Sequence, residues 1–360
     1  MENRFSEIST ARKKETSSAG SRQDPFFTPP AYDSLLLDSG RSALFLGLEA
    51  LRRSGCAPVI HLPAVICRAV IAICRLQGFS LRFYGQGKDL KTPTFAQTPL
   101  PEEVVLYVHY FGGRHGVMED FLTSLPRRPF VVEDGTAAGL TPGVGTFGDV
   151  AVRGFRKLLP IPDGAQLLSR VPLDVPREAP DETFLERKRR ELSHPFSLLP
   201  PDPFGAEARL DQWIAPRDMS SDSQAYLASG LWRPAAAARR AAHRHLSELR
   251  APLENPLLEE LPLLPEDAVP LGYPLLLHRS YGGELRRRLR REGFTLPMDW
   301  GLPPDAPWKD DGEFLRHLVV LPVTSRASGD EERLMALATE VVACGTREAP
   351  GRREARDTRR

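Results

Sequence analysis

Between Phe130 and Gln166 the chain reads FVVEDGTAAGLTPGVGTFGDVAVRGFRKLLPIPDGAQ, and few folds accommodate that order of residues. Three apolar residues, Phe130-Val131-Val132, stop abruptly at two acids, Glu133-Asp134. A buried strand has this form when it delivers carboxylates to the carboxyl edge of a sheet. A glycine-rich loop follows. An alternating apolar run from Val150 to Phe155 then leads into Arg156-Lys157. Beyond it, Pro160, Pro162 and Asp163-Gly164 dictate a turn or loop. A carboxylate and an amine thus sit at the ends of two strand-like segments. In an open α/β sheet that edge is where ligands bind.

The amine is unusual in this composition. The chain holds seven lysines beside 41 arginines. A lysine kept where arginine is the default cation suggests a need for an amine that can lose its proton. The length of 360 residues suits one large domain and a smaller one, and 41% hydrophobic content supports a core. A net charge of +1 gives no electrostatic argument for nucleic acid. The apolar runs are too short and too interrupted by Arg to span a bilayer. Cys56, Cys67, Cys74 and Cys344 form no CxxC pair and no metal spacing, so no metal is expected. They read as reduced thiols of a cytoplasmic protein. The first twenty residues lack the apolar core of a signal peptide.

Along the chain, strands alternate with helices. Ser39-Gly40-Arg41-Ser42 precedes an amphipathic helix, Leu44 to Arg53. A small-residue turn at a helix start is suited to an anion such as a phosphate, although taken alone it reads first as an ordinary N-cap. Val59–Leu62, Leu81–Tyr84, Val104–Tyr110 and Phe130–Val132 read as strands, with helices at 68–77 and 118–124 between them. This order argues a mostly parallel sheet with helices on both faces. Gly143 to Gly148 fits GxGxxG but runs into a strand instead of opening a helix, which argues against a dinucleotide site. Helices are expected at 181–192, 222–232 and 235–249, the last carrying Arg239, Arg240, Arg244 and Arg250 on a solvated face. After a Pro-rich connection, strands at 273–277 and 318–321 and helices at 283–292 and 331–342 form a compact α+β unit. The expected division is a disordered start at 1–28, a large domain at 29–250, a small domain at 251–345, and a disordered basic tail at 346–360.

In this order the pieces resemble the DegT/DnrJ/EryC1/StrS family of pyridoxal-phosphate-dependent, fold-type-I aminotransferases. Ser39-Gly40-Arg41-Ser42-Ala43-Leu44 is similar to that family's SGTSAL cofactor-phosphate turn. His61 to Cys67 is similar to its VxxPxxT segment, and Val108-His109-Tyr110-Phe111-Gly112 to its VHxYG strand end. Val132-Glu133-Asp134 resembles IEDxA, Gly145 to Ala151 resembles GxFGDxA, and Gly154-Phe155-Arg156-Lys157 with Asp163-Gly164 resembles the lysine segment. The resemblance implies an α/β PLP-transferase fold with a small C-terminal α+β domain. It implies pyridoxal 5'-phosphate as cofactor, a small-molecule amino donor, and a carbonyl acceptor such as a nucleotide-linked keto sugar. It also implies a homodimer. Lys157 takes the role of Schiff-base lysine and Asp134 that of partner to the pyridine nitrogen, while Ser39, Gly40, Arg41 and Ser42 hold the phosphate. The chemistry asks for a lysine that is neutral when it attacks, and burial beside a cationic ring would lower its pKa in that direction.

The chain departs from the family pattern at three cofactor positions. Ala137 stands where a glutamine or histidine touches the cofactor, Gly154 where a serine helps hold the phosphate, and Cys67 where an aromatic stacks on the ring. His109 is open to two readings, as the missing ring contact or as a satisfied polar residue at a strand end. The functions these features leave are an aminotransferase and, as the alternative, a catalytically degenerate relative with a binding or regulatory role. Lys157 argues against the family's dehydratase branch, in which histidine replaces the lysine.

Overall fold

The computed structural model describes residues 28–87, 89–193, 215–251, 258–261, 264–277, 281–298, 314–323 and 330–347. The segments expected to be disordered at either end, 1–28 and 346–360, lie almost wholly outside the described residues.

The large unit runs β1 (Asp33–Leu37), α1 (Gly40–Arg53), β2 (Val59–Pro63), α2 (Arg68–Leu76), β3 (Ser80–Tyr84), β4 (Val104–Val108), α3 (Gly116–Ser124), β5 (Phe130–Gly135), β6 (Val150–Gly154) and β7 (Ala165–Ser169). Its seven strands form one sheet in the order β1-β7-β6-β5-β4-β2-β3. Strands β2 to β6 are paired in parallel, while β7 is antiparallel to both β6 and β1. The sheet is buried on both faces, which is why β4 reads as an unbroken apolar run. Its period-2 alternation still sorts the side chains. Val104, Leu106 and Val108 join the core formed with α1 and α2. Val105 and Tyr107 join the core under α3, with Met118 and Leu122. In β5, Val132 belongs to the first face and Val131 to the second. The same alternation sends Asp134 toward α1 and α2, and Glu133 toward α3.

After α4 (Glu182–Ser193), helices α5 (Ser221–Ala228) and α6 (Trp232–Arg250) follow. Gly230, at φ 76°, makes the break between them. The expected helix to Trp232 therefore ends four residues earlier, and Trp232 opens the next one. Helix α6 spans two cores. Ala235 and Ala236 pack with Phe155, Leu158 and Ile161, whereas Leu246 packs with the C-terminal unit. That unit comprises β8 (Leu258–Glu260), β9 (Gly272–Leu277), α7 (Tyr281–Arg291), β10 (Leu318–Pro322) and α8 (Glu331–Arg347), with a three-stranded antiparallel sheet in the order β10-β9-β8.

One residue of the expected solvated basic face of α6 is not solvated. Arg239 is buried, and its Nε and Nη2 donate to the carbonyls of Pro270 and Leu271, both at 2.9 Å. The helical turn that carries Ala235 and Ala236 into the core carries Arg239 with them, because positions four apart share a face. No helix among the described residues is long and apolar enough to cross a membrane.

Candidate active site

The site is assembled where α1 begins and where β5 and β6 end. Ser39 is the N-cap of α1, its Oγ accepting from the Ser42 amide at 3.2 Å. Gly40 is required there, since a Cβ would sit 2.7 Å from the methyl group of Thr136. Register places Asp134 beside Val108 on one side and Val152 on the other. Directly after β6 closes at Gly154, the turn 155–159 buries Phe155, Leu158 and Leu159 and turns Lys157 outward.

These parts line one cavity of about 180 Å³. Its walls include Ser39, Gly40 and Arg41 from the helix start, Asp134 and Thr136 after β5, Arg156 and Lys157 after β6, and Cys67 with Val70 and Ile73 from α2. Asp134 is 5% exposed, and its Oδ1 accepts the Thr136 amide at 2.9 Å. Among the described residues that is the one hydrogen bond its carboxylate makes, which leaves an oxygen for a cationic ligand atom. The positive end of α1 and the guanidinium of Arg41 favour an anion at the opposite side of the cavity. The donor set therefore fits a molecule with a protonated ring nitrogen at one end and a phosphate at the other.

The sequence expectations are met unevenly. Lys157, Asp134, Ser39, Gly40, Arg41 and Cys67 come together. Ser42 does not line the cavity; it is fully buried, donates to Asp38 Oδ1 at 2.5 Å and accepts the Arg217 amide at 3.3 Å. Ala137 is also absent from the walls. It lies in the core with Leu140 and Phe155, while its neighbour Thr136 faces the cavity. His109 is on the opposite face of the sheet. Its Nε2 donates to Glu133 at 3.0 Å and its Nδ1 accepts the His115 amide at 2.9 Å. It is thus the satisfied polar residue and supplies no ring contact. Lys157 is exposed at the cavity mouth, so the expected burial of its amine is not found in the single chain.

Three contributors escaped the sequence reading. Thr136 was hidden by a one-residue offset from Ala137. Arg156 stands in the sequence beside Lys157 at a polar strand end, with no motif of its own to mark it. Asp163 read as a turn residue, yet it is fully buried and fixes the lysine turn. It accepts the Ser220 amide at 2.8 Å and hydroxyl at 2.6 Å, and also the Ser223 hydroxyl, at the start of α5.

Glu133 organises the glycine loop that looked like a dinucleotide fingerprint. Its two oxygens accept from the amides of Gly145 at 2.8 Å, Phe147 at 2.6 Å and Gly148 at 2.5 Å, and from His109. Burial pushes its pKa up, but His109 and the backbone donors outweigh it and hold the carboxyl below its ordinary range. Among the described residues, His109, Glu119 and Glu133 form the one group with metal-type spacing. Glu119 is already engaged by Arg114 and Tyr107, so all three are spent on protein partners.

The fold and cavity together define an α/β chain with an anion-binding helix start facing a carboxylate and a lysine at a sheet edge. No family model matches the sequence, and no curated protein matches it significantly. Solved structures do. The aminotransferase TlmJ from Streptoalloteichus hindustanus aligns with a TM-score of 0.63 at 18% identity, over 87% of this chain and 86% of that one. A DegT DnrJ EryC1 StrS aminotransferase from Brucella abortus aligns at 0.53 and 15% identity, over 86% of each chain. The GDP-4-keto-6-deoxy-D-mannose-3-dehydratase of E coli, with bound hydrated PLP, aligns at 0.58 and 13% identity, over 94% and 96%. The chain has the fold these enzymes share.

Proposed function

We propose that this protein is a pyridoxal-phosphate-dependent aminotransferase that moves an amino group from an amino acid to a carbonyl substrate, with a nucleotide-linked keto sugar as the acceptor class. The observation that carries the reading is the convergence of Asp134, Lys157 and the Ser39–Arg41 helix start on one cavity. The sugar class is supported by the motif resemblance and by the shared fold.

Bound there, the cofactor supplies an electron sink for a carbanion at the donor's α-carbon. Asp134 would hold the ring nitrogen in its protonated form, its carboxylate being buried and having accepted one amide. The Ser39–Gly40–Arg41 turn would hold the phosphate, with the helix dipole and the Arg41 guanidinium in place of the serine lost at Gly154. Lys157 would supply the amine that attaches the cofactor and, once the donor has displaced it, would move a proton from the donor's α-carbon to the cofactor. Thr136 restricts the space beside Asp134 where Ala137 cannot reach. A second copy of the chain would cover the exposed mouth at Lys157 and exclude water.

The test is reconstitution with pyridoxal phosphate. The wild type is expected to develop a visible absorption band that Lys157→Ala lacks, and to lose the band on adding glutamate. A colourless wild type refutes the proposal. A second reading, a cofactor-holding protein without turnover, is favoured by Cys67 in the aromatic position and by the exposed Lys157. A band that no amino acid discharges selects it.

A further inference from the structure

A second cavity, of about 120 Å³, lies apart from the first, between the loops 89–91 and 110–115 and the residues Leu261, Leu264 and Pro265, which follow β8. Its walls Leu90, Phe111 and Leu261 belong to the core on the α1–α2 face of the sheet, and His115 caps α3. Two features mark it as built. Among the described residues, Leu90 at φ 55° and Phe111 at φ 57° are the non-glycine residues with positive φ, and both line this cavity. Such conformations cost about 1–3 kcal/mol each and persist where the surroundings enforce them.

The second feature is an unpartnered polar atom. His115 lines the cavity and is 3% exposed. Its Nδ1 accepts the Met118 amide at 3.3 Å, capping α3, so the neutral ring carries its proton on Nε2. That Nε2 is buried without a hydrogen-bond partner. Burial first, then the neighbouring His109 and Lys91, lowers the His115 pKa to about 4, so the ring is neutral near pH 7 and Nε2–H is an idle donor. A buried donor left idle costs about 1–3 kcal/mol, which a ligand acceptor would recover.

The remaining walls define the ligand. Lys91 and Arg114 bring two more donors, while Leu90, Phe111, Leu261, Leu264 and Pro265 are apolar. Arg114 is already paired with Glu119. Asp89 has spent its oxygens on the Lys91 and Thr92 amides and the Thr92 hydroxyl. The charges nearly balance, so the cavity suits a single negative charge and not a phosphate dianion.

We propose that this cavity is a binding site for a small monocarboxylate with an apolar body, its carboxylate received by His115 Nε2 and Lys91 and its body by Phe111, Leu261 and Leu264. The site does not depend on the cofactor reading. Its place gives it a consequence, because Phe111, which lines it, also accepts the Leu271 amide on its carbonyl at 2.8 Å. An occupant ties Leu261 and Leu264 to the 110–115 loop that leads into α3.

Benzoate is the probe, with acetate and inorganic phosphate as comparisons, in calorimetric titration of the full chain. The expected result is saturable binding of one benzoate per chain, at least tenfold tighter than acetate or phosphate. Lys91→Ala is expected to weaken it at least tenfold, and Leu264→Trp, which fills the cavity, to abolish it. Arg156→Ala, in the other cavity, leaves it unchanged. In proton NMR of the wild type, the His115 Nε2–H resonance is expected to shift with the same saturation curve. No saturable binding overturns the proposal, as does binding that survives Leu264→Trp or is lost with Arg156→Ala. Phosphate binding as tightly as benzoate overturns the ligand class.

Discussion

Asp38 immediately precedes the Ser39 cap and is 6% exposed. Burial raises its pKa from 3.8 to about 6 against the pull of the Ser42 and Ser39 hydrogen bonds, and the nearby Asp163 adds to the rise. The folded protein therefore binds this proton more tightly than the unfolded chain does. Its contribution is fully favourable below pH 4 and is lost as pH rises through about 6, a swing of about 3 kcal/mol. Glu133 works with the opposite sign, stabilising the fold above the ordinary carboxyl range and losing that effect as pH falls. Asp38→Asn is expected to be more favourable at pH 7 than at pH 4 by about 2–3 kcal/mol relative to wild type, read from urea unfolding at both pH values. An equal effect at both rules the assignment out. Much of the candidate site was legible at this scale because the proposed chemistry needs charged residues that stand out, Asp134 after an apolar run and Lys157 among arginines. Ser42 and Ala137 were misplaced, and His109 stayed open, because motif spacing does not say which way a side chain turns. A serine one turn into a helix is as able to bond a neighbouring aspartate as a ligand.

The segment 135–139 lies hard against the end of β6, and this contact explains one departure from the family pattern, Gly154. A Cβ at Gly154 would lie 2.7 Å from the Thr136 carbonyl oxygen and 2.8 Å from its Cα, and one at Gly139 would lie 2.2 Å from the Gly154 carbonyl oxygen. No serine fits at 154 while Thr136 occupies the cavity wall. Gly154→Ser is therefore expected to destabilise the chain by about 1–3 kcal/mol through overpacking, measured as a lower denaturant midpoint. A neutral Gly154→Ser would show that the contact is not as close as described. Helix α6 depends on a different contact. Arg239→Met leaves the Pro270 and Leu271 carbonyls without their donors and is expected to cost about 2–4 kcal/mol, checked by the same unfolding. The elements of the parallel sheet were readable because apolar runs ended at acids or glycines. Strands β1 and β7 were not. They are antiparallel partners, and the buried polar residues of β7, Gln166 and Ser169, break its apolar run. Gln166 is satisfied inside by bonding the Ser34 hydroxyl at 2.9 Å, a pairing across more than a hundred residues that no local pattern displays.

For the whole molecule, the proposed function turns on the amine of Lys157, which is exposed in the single chain. A base that moves a carbon-bound proton needs water excluded from around it. The cavity wall on α2 continues outward. Val70 and Ile73 line it, and three residues on, on the same stripe of the helix, Leu76 is 60% exposed. An apolar stripe that runs from a ligand cavity to solvent is the pattern of a surface completed by another subunit. If a second copy covers the mouth, sedimentation of the wild type gives a dimer at micromolar concentration. Leu76→Asp then shifts the protein to monomer without unfolding it, because that side chain makes little of the core. The same variant is expected to retain pyridoxal phosphate at least tenfold more weakly, since the cavity mouth is reopened. A wild-type monomer that binds the cofactor tightly refutes this, as does a Leu76→Asp dimer with unchanged retention.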